Sequence, residues 1–367
     1  PDRTSPDLLV EFSSKNSRMN VAVAGLLRYG VPLNTAARLL GHRDTRTTSA
    51  HYVDVEGGAA TLIVTPAGES ILVDTGWPGF EGRDPKRIQS AMQQAGVTQI
   101  DHLIITHYHV DHFGGLPELA KLVPIKHHYN HGDLPQPPEN ASQPKQYSDY
   151  RTAANNQTTT VKPGDEIKLR TAKGTPPVTL RFLAARGEAL VGKTKEANPT
   201  CSNTKQMEPD PSDNARSVAF KLSYGAFDFF DAGDLTWNVE SKLVCPSNVI
   251  GKVDLYQVTH HGMDISNNTA LLAAVKPTVA IMNNGARKGG SAATIQALRA
   301  LPSLKALYQG HRNITLTAEQ NVAEEFIANL DAQNDAANMI RVAVDAGKKS
   351  FSVTNDRTGK TQTFPVK

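Results

Sequence analysis

The sequence predicts an α/β fold in which two β-sheets are sandwiched between helices. Two observations carry this. Short apolar runs of strand length alternate with helical stretches that have one apolar face. The alternation occurs in two successive sets, separated by long polar segments, which fits two layered sheets better than one. At 367 residues the chain has room for one large α/β domain or two smaller ones.

The first set opens with Thr61–Val64 and Ser70–Val73, which flank the turn Pro66-Ala67-Gly68 and so read as a hairpin. Asp84-Pro85 then starts a helix, with Asp as N-cap and Pro at the first helical position. Ile88, Met92 and Ala95 mark its apolar face and Gly96 ends it. Leu103-Ile104-Ile105 is a short buried strand, and Gly114-Gly115 and Pro117 introduce a second helix through Leu122. Residues 132–177 and 186–213 are polar and rich in Pro, Asn, Gln and Thr, so they read as long loops around a strand at Val178–Leu183. The second set has a hairpin (Ser217–Leu222 and Phe227–Phe230), strands at Leu255–Thr259 and Val279–Met282, and helices at Thr269–Val275 and Thr294–Leu301. Ile340–Val344, Phe351–Val353 and Thr361–Phe364 are expected to be short strands.

Composition excludes several classes. Lys+Arg 39 against Asp+Glu 36 gives a net charge of +3, too balanced to argue for a nucleic-acid or membrane partner. No apolar run approaches the roughly 20 residues of a spanning helix. The first residues, Pro1-Asp2-Arg3-Thr4-Ser5-Pro6, are polar and show no signal-peptide core. Cys201 and Cys245 both sit beside Pro in loop-like sequence. They either form one bridge that pins an insertion, implying an oxidising compartment, or are unrelated thiols.

The chemistry is concentrated at strand ends. His107-Tyr108-His109-Val110-Asp111-His112 follows a buried strand. His107 and His109 are two apart and can point to one side to grip a metal, while Asp111 and His112 reach a second. Imidazole and carboxylate together suit zinc, manganese or iron. Asp74 ends another strand and is placed to orient a ligand imidazole or water. Asp234, in Asp231-Ala232-Gly233-Asp234, can bridge two cations, and Asp231 is read as structural. In Thr259-His260-His261-Gly262, adjacent residues on an extended chain point opposite ways. One histidine would therefore bind metal, and the other would contact substrate or donate a proton. No Gly-x-Ser-x-Gly elbow supports a serine hydrolase.

These four motifs, in this order, resemble the metallo-β-lactamase superfamily over about residues 52–310. The resemblance implies an αββα sandwich, two divalent metal ions at one edge, a bridging hydroxide as nucleophile and a small-molecule substrate. Carried over, His107 and His109 hold the first metal, and Asp111, His112 and His261 the second. Asp234 bridges, Asp74 supports, and Asp111 and His260 are the catalytic candidates. One departure narrows the reading. The strand through Leu183 runs into Ala184-Ala185-Arg186-Gly187, with no histidine where the superfamily usually has another first-metal ligand. With Asp213-Asn214 and the His-His-Gly motif, this is similar to the branch of competence-protein hydrolase domains and exported choline-phosphate esterases. There the first metal is more open and His260 is free to meet substrate. His131 is a candidate for the missing ligand, against a solvent-exposed loop histidine. A phosphodiester or phosphomonoester is the expected substrate, ahead of a lactone, and a non-catalytic scaffold is the further alternative.

Residues 30–52 resemble the C-terminal end of a tyrosine recombinase, with His42 and Tyr52 at the family's histidine and nucleophile positions. The expected Arg and His before it are replaced by Ser17-Arg18-Met19-Asn20. A nucleophile without its Arg clamp cannot stabilise a phosphoryl transition state. Residues 1–51 are thus expected to be a non-catalytic appendage with helices at Val21–Tyr29 and Leu33–Leu40. The hydrolase domain is expected at 52–330, with C-terminal strands at 331–367 packed on it.

Overall fold

The computed structural model describes residues 47–192, 198–203, 205–332 and 336–367. The first sheet contains β1 (Thr47–Tyr52), β2 (Thr61–Val64), β3 (Ser70–Val73), β4 (Ile100–Ile104), β5 (Ile125–Asn130) and β6 (Thr159–Thr160). The second contains β7 (Glu166–Ile167), β8 (Val178–Ala185), β10 (Ala219–Tyr224), β11 (Phe227–Asp231), β12 (Leu255–Gln257), β13 (Val279–Met282), β14 (Ala306–His311) and β15 (Ile327–Asn329), with β9 (Glu188–Ala189) paired to β8. The C-terminal strands β16 (Ile340–Asp345), β17 (Ser350–Asn355) and β18 (Thr361–Pro365) return to the first sheet, where β16 pairs with β1.

Strand alternation sorts the apolar side chains into layers. Ile63, Ile71, Val73 and Ile104 face Phe220, Phe229, Leu255 and Ile281 between the sheets. Their neighbours Leu62, Leu72 and Leu103 face outwards and bury Ile88, Met92, Leu116 and Leu119. Those four come from α1 (Arg83–Ala95) and α3 (Leu116–Leu122), which flank the single-turn α2 (Val110–Phe113). On the far side, Phe230, Tyr256 and Met282 pack against Leu271, Leu272, Ile295 and Leu298. That layer contains α5 (Trp237–Lys242), α6 (Thr269–Val275) and α7 (Ala292–Arg299). The order helix, sheet, sheet, helix is the expected αββα sandwich.

Several expectations need correction. The chain joins the first sheet at Thr47, ahead of the expected boundary at 52, because β1 pairs with both β2 and β16. Tyr52 lies in that strand, 6% exposed in the core between the sheets, so its phenol is not presented as a surface nucleophile. His42 and the helices expected at Val21–Tyr29 and Leu33–Leu40 lie outside the described residues. The polar stretch 132–177 contains α4 (Gln143–Ala153), whose Tyr150 is fully buried against α3. Asp84 sits inside α1 and caps nothing. Its carboxylate accepts from Trp77 N at 2.8 Å and from Arg83 Nε at 2.6 Å. Cys201 and Cys245 form a disulfide. No helix among the described residues is long and apolar enough to cross a membrane.

Candidate metal centre

Parallel pairing of β3 with β4, and of β11 with β12, delivers the ends of four strands to one edge of the sandwich. Asp74 follows β3, the His107–His112 run follows β4, Asp234 follows β11, and His260 and His261 follow β12. Each strand is held by its apolar residues, which brings the polar residues just beyond it to this edge.

Asp74 sets the first orientation. Its Oδ1 accepts from Thr106 N at 2.8 Å, and its Oδ2 accepts from Thr106 Oγ1 and His112 Nδ1, each at 2.8 Å. With Nδ1 committed to Asp74, Nε2 is the nitrogen of His112 left to face the site. Burial alone would lower the His112 imidazole, but Asp234, Asp111 and Asp74 outweigh it and hold the ring well above its usual range. Thr106 Oγ1 gives its proton to Asp74 and therefore accepts from His107 Nδ1 at 3.1 Å, so His107 Nε2 carries a lone pair. His261 donates from Nδ1 to Asn283 O at 3.2 Å, with the same result.

The Nε2 atoms of these histidines converge with two carboxylates. His112 Nε2 and His261 Nε2 are 3.1 Å apart. Asp111 Oδ2 lies 3.2 and 3.3 Å from them, and Asp234 Oδ2 also lies 3.2 and 3.3 Å from them. The donor atoms of His107, His112 and Asp234 form one group within 4.8 Å, and those of Asp111, His112 and His261 form another. His107 Nε2 is fully buried and has no hydrogen-bond partner among the described residues. An orphaned imidazole nitrogen beside a buried carboxylate is costly unless a cation takes its lone pair. The donor set fits a divalent metal of the zinc, manganese or iron type.

Burial, reinforced by the neighbouring His112 and His109, holds the His107 imidazole well below its usual range. Burial alone would raise Asp234, but His112, His261 and His260 outweigh it and hold the carboxyl well below its ordinary value. Asp111 is depressed in the same way by His112, His261 and Lys288, against burial. Both carboxylates are therefore ionised and ready to bind a cation.

The other expected residues fall differently. His109 does not join either donor group: its Nε2 pairs with Glu139 Oε2 at 2.9 Å and its side chain is 26% exposed. His131 is buried, not solvent-exposed, and points at Asp213 Oδ2 at 3.0 Å. Asp213 Oδ2 also accepts from Tyr108 N at 2.7 Å, so His131 supports the His107–His112 loop from behind. His260 and His261 do not diverge, because the strand ends at Gln257 and both residues adopt left-handed backbone, φ 56° and 52°. Both imidazoles consequently turn towards Asp234 Oδ2, at 3.5 and 3.3 Å. His260 donates from Nδ1 to Ser266 Oγ at 3.0 Å, and its Nε2 is 3.4 Å from Asn214 Nδ2. Asp231 accepts from Gly233 N at 2.9 Å and shapes the turn before Asp234, and burial pushes its carboxyl up to about 7.

Residues 53–189 match the family model described as the metallo-beta-lactamase superfamily. Over those residues the chain is similar to this superfamily. Among similar proteins is an atrochrysone carboxyl ACP thioesterase of Aspergillus terreus, 34% identical over 84 residues, or 21% of this chain and 25% of that protein. A metal-dependent hydrolase of Cupriavidus necator is 39% identical over 82 residues, 22% of this chain and 26% of that protein. Recombination protein 2 of Haemophilus influenzae is 26% identical over 274 residues, 74% of this chain and 28% of that protein. The chain thus spans about a quarter of the length of these curated relatives.

Two supporting groups were not singled out in the sequence. Glu139 lies in a polar stretch with no periodicity, and nothing local marks it. Lys288 was in principle visible, in Arg287-Lys288-Gly289-Gly290 just beyond the end of β13, the same kind of position that carries every other site residue.

Proposed function

We propose that the chain is a metal-dependent hydrolase of phosphodiesters or phosphomonoesters. The observation that carries this reading is the open pole at His107. Its buried Nε2 faces only His112 and Asp234 as further donors, and no third imidazole completes that group among the described residues. A cation with few protein ligands keeps positions for substrate oxygens, and a phosphoryl group offers several.

His107 and Asp234 would hold one divalent ion and Asp111 and His261 a second; His112, whose Nδ1 is committed to Asp74, has only Nε2 to offer and would serve one of the two at a time. When bound, such ions supply Lewis acidity, polarising water and neutralising charge that develops on the substrate. The protein's own part is orientation and proton handling. Asp74 and Thr106 lock the imidazole tautomers of His112 and His107. His260 is kept below its usual range by burial, against the pull of Asp234, so it is neutral with an accepting Nε2 inside the site. That nitrogen can take up a proton and return it to a leaving oxygen. Asp111 has the complementary character, an ionised carboxylate that accepts only.

Acyl-ester hydrolysis, on a lactone or thioester, is the second reading, favoured by the relative named a thioesterase. The test is an activity panel on purified, metal-loaded protein: bis-p-nitrophenyl phosphate, p-nitrophenyl phosphate, an acyl-homoserine lactone, an acyl thioester and nitrocefin. Turnover of a phosphate ester, lost in His112→Ala, is the expected result. Turnover of the lactone or thioester alone would replace the first reading with the second, and no turnover with no bound metal would leave a non-catalytic scaffold.

A further inference from the structure

The group at Asp111, His112 and His261 already has a positive charge against it. Lys288 Nζ donates to Asp111 Oδ2 and lies 3.3 Å from His261 Nε2. Because His261 gives its Nδ1 proton to Asn283 O, its Nε2 must accept from the ammonium. Lys288 therefore satisfies the same carboxylate oxygen and imidazole lone pair that a cation would use.

The backbone holds the lysine there. Gly290 N donates to His261 O at 2.8 Å, and Gly285 N donates to Lys288 O at 2.9 Å, closing a tight turn against the His261 segment. Gly289 adopts φ +71°, and a Cβ on it would come within 2.1 Å of His261 O, so the close approach requires glycine. The Lys288 stem consequently starts from a fixed point beside the site. Its side chain is 33% exposed, with Nζ 5.2 Å from the centre of the Trp77 ring. The ammonium has a route outwards over an aromatic face, which attracts a cation without binding it tightly.

We propose that Lys288 and a divalent cation compete for the Asp111–His261 position, so that the protein loads metal in two unequal steps. This rests on the reading of the site as a metal centre. A divalent ion and an ammonium cannot both contact one carboxylate oxygen, because like charges at that separation in a buried site repel strongly. The His107–His112–Asp234 position has no such competitor among the described residues and fills first. The second position fills only when Lys288 turns out towards Trp77.

The test is calorimetric titration of metal-free protein with Zn²⁺ near neutral pH, with metal content measured after gel filtration. Wild type is expected to show one tight and one weak equivalent and to retain about one ion per chain. Lys288→Met, which keeps the length of the side chain and removes its charge, should tighten the second equivalent at least tenfold and leave the first unchanged. Lys288→Arg should keep the second equivalent weak. An unchanged first equivalent also reports that each variant is folded. If the second equivalent is as weak in Lys288→Met as in wild type, or equally tight in both, the competition is refuted while the metal centre stands. If wild type takes up no Zn²⁺, the metal-centre reading falls and this inference falls with it.

Discussion

His112 Nδ1 donates to Asp74 Oδ2 at 2.8 Å, and the same carboxylate receives both the amide and the hydroxyl of Thr106. One buried carboxylate thus fixes the tautomer of His112 directly and that of His107 through Thr106 Oγ1. Removing such a support typically weakens metal binding 10- to 100-fold. Asp74→Ala is therefore expected to lower the affinity for the first metal equivalent by about that factor, measured by competition with a chelator of known affinity. The variant also leaves Thr106 N without its acceptor, which costs about 1–3 kcal/mol of stability. Wild-type metal affinity in the variant would show that Asp74 does not set the ligand orientation.

His107 and His109 are neighbours in the sequence run but not in role. The His107 Nε2 is fully buried among the donor atoms, whereas that of His109 is paired with Glu139 at the surface of the site. His107→Ala is expected to abolish the tight metal equivalent, and His109→Ala to weaken it by a much smaller factor. The readout is the rise in melting temperature when metal is added to chelator-treated protein. Ligand at 100 times its dissociation constant stabilises by about 2.7 kcal/mol. That rise should vanish in His107→Ala and persist in His109→Ala. Equal loss in both would mean that His109 leaves Glu139 to become a full ligand.

The architecture was legible because it depends on periodicity. Leu72 and Val73 alternate between two cores, and so do Leu103 and Ile104, a pattern written residue by residue. The helix of α6 and the strands β2, β3 and β13 fall where the apolar runs place them. The strand-end rule likewise located Asp74, Asp234 and the histidines. What escaped depends on contacts distant in sequence. β1 is a strand because β16, almost 300 residues on, pairs with it, and α4 is held by a few scattered residues, Gln143, Tyr147 and Tyr150, and by no continuous apolar face. The joint turn of His260 and His261 towards Asp234 follows from two consecutive left-handed residues, a conformation uncommon for any residue with a side chain and not marked by the apolar pattern. Lys288 reaches Asp111 across 177 residues, and only the folded chain brings them together.

Glu240, on α5, gives the fold a pH dependence. It is fully buried, accepts from Asn268 N at 2.7 Å, and burial pushes its carboxyl up to about 7 against an ordinary 4.5. With a raised folded value, the native state keeps a proton that the unfolded chain releases between about pH 4.5 and 7. The stability tied to this proton is therefore present at acid pH and lost as pH rises through that window, by at most about 3 kcal/mol. Glu240→Gln keeps the neutral shape at every pH. The variant is expected to match wild type near pH 5 and to melt at a higher temperature at pH 8, by thermal unfolding followed with circular dichroism. A pH-independent difference between the two proteins would rule out the buried proton as the cause.

The Cys201–Cys245 bridge joins residues 44 apart and ties the 198–203 segment to the chain just beyond α5. Hydrogen bonds run alongside it, from Asn198 N to Pro246 O at 2.6 Å and from Asn198 Nδ2 to Val244 O at 2.9 Å. Cross-linking at that separation restricts the unfolded chain by an amount worth about 4 kcal/mol in the chain-entropy picture. Because the neighbouring hydrogen bonds survive reduction, the native segment keeps its place and the loss falls mainly on the unfolded state. Dithiothreitol, or a Cys201→Ser and Cys245→Ser double variant, is expected to lower the unfolding midpoint by up to that amount, with both treatments giving the same shift. If reduction changes nothing while the double variant is destabilised, packing of the sulfur atoms, not the cross-link, carries the effect.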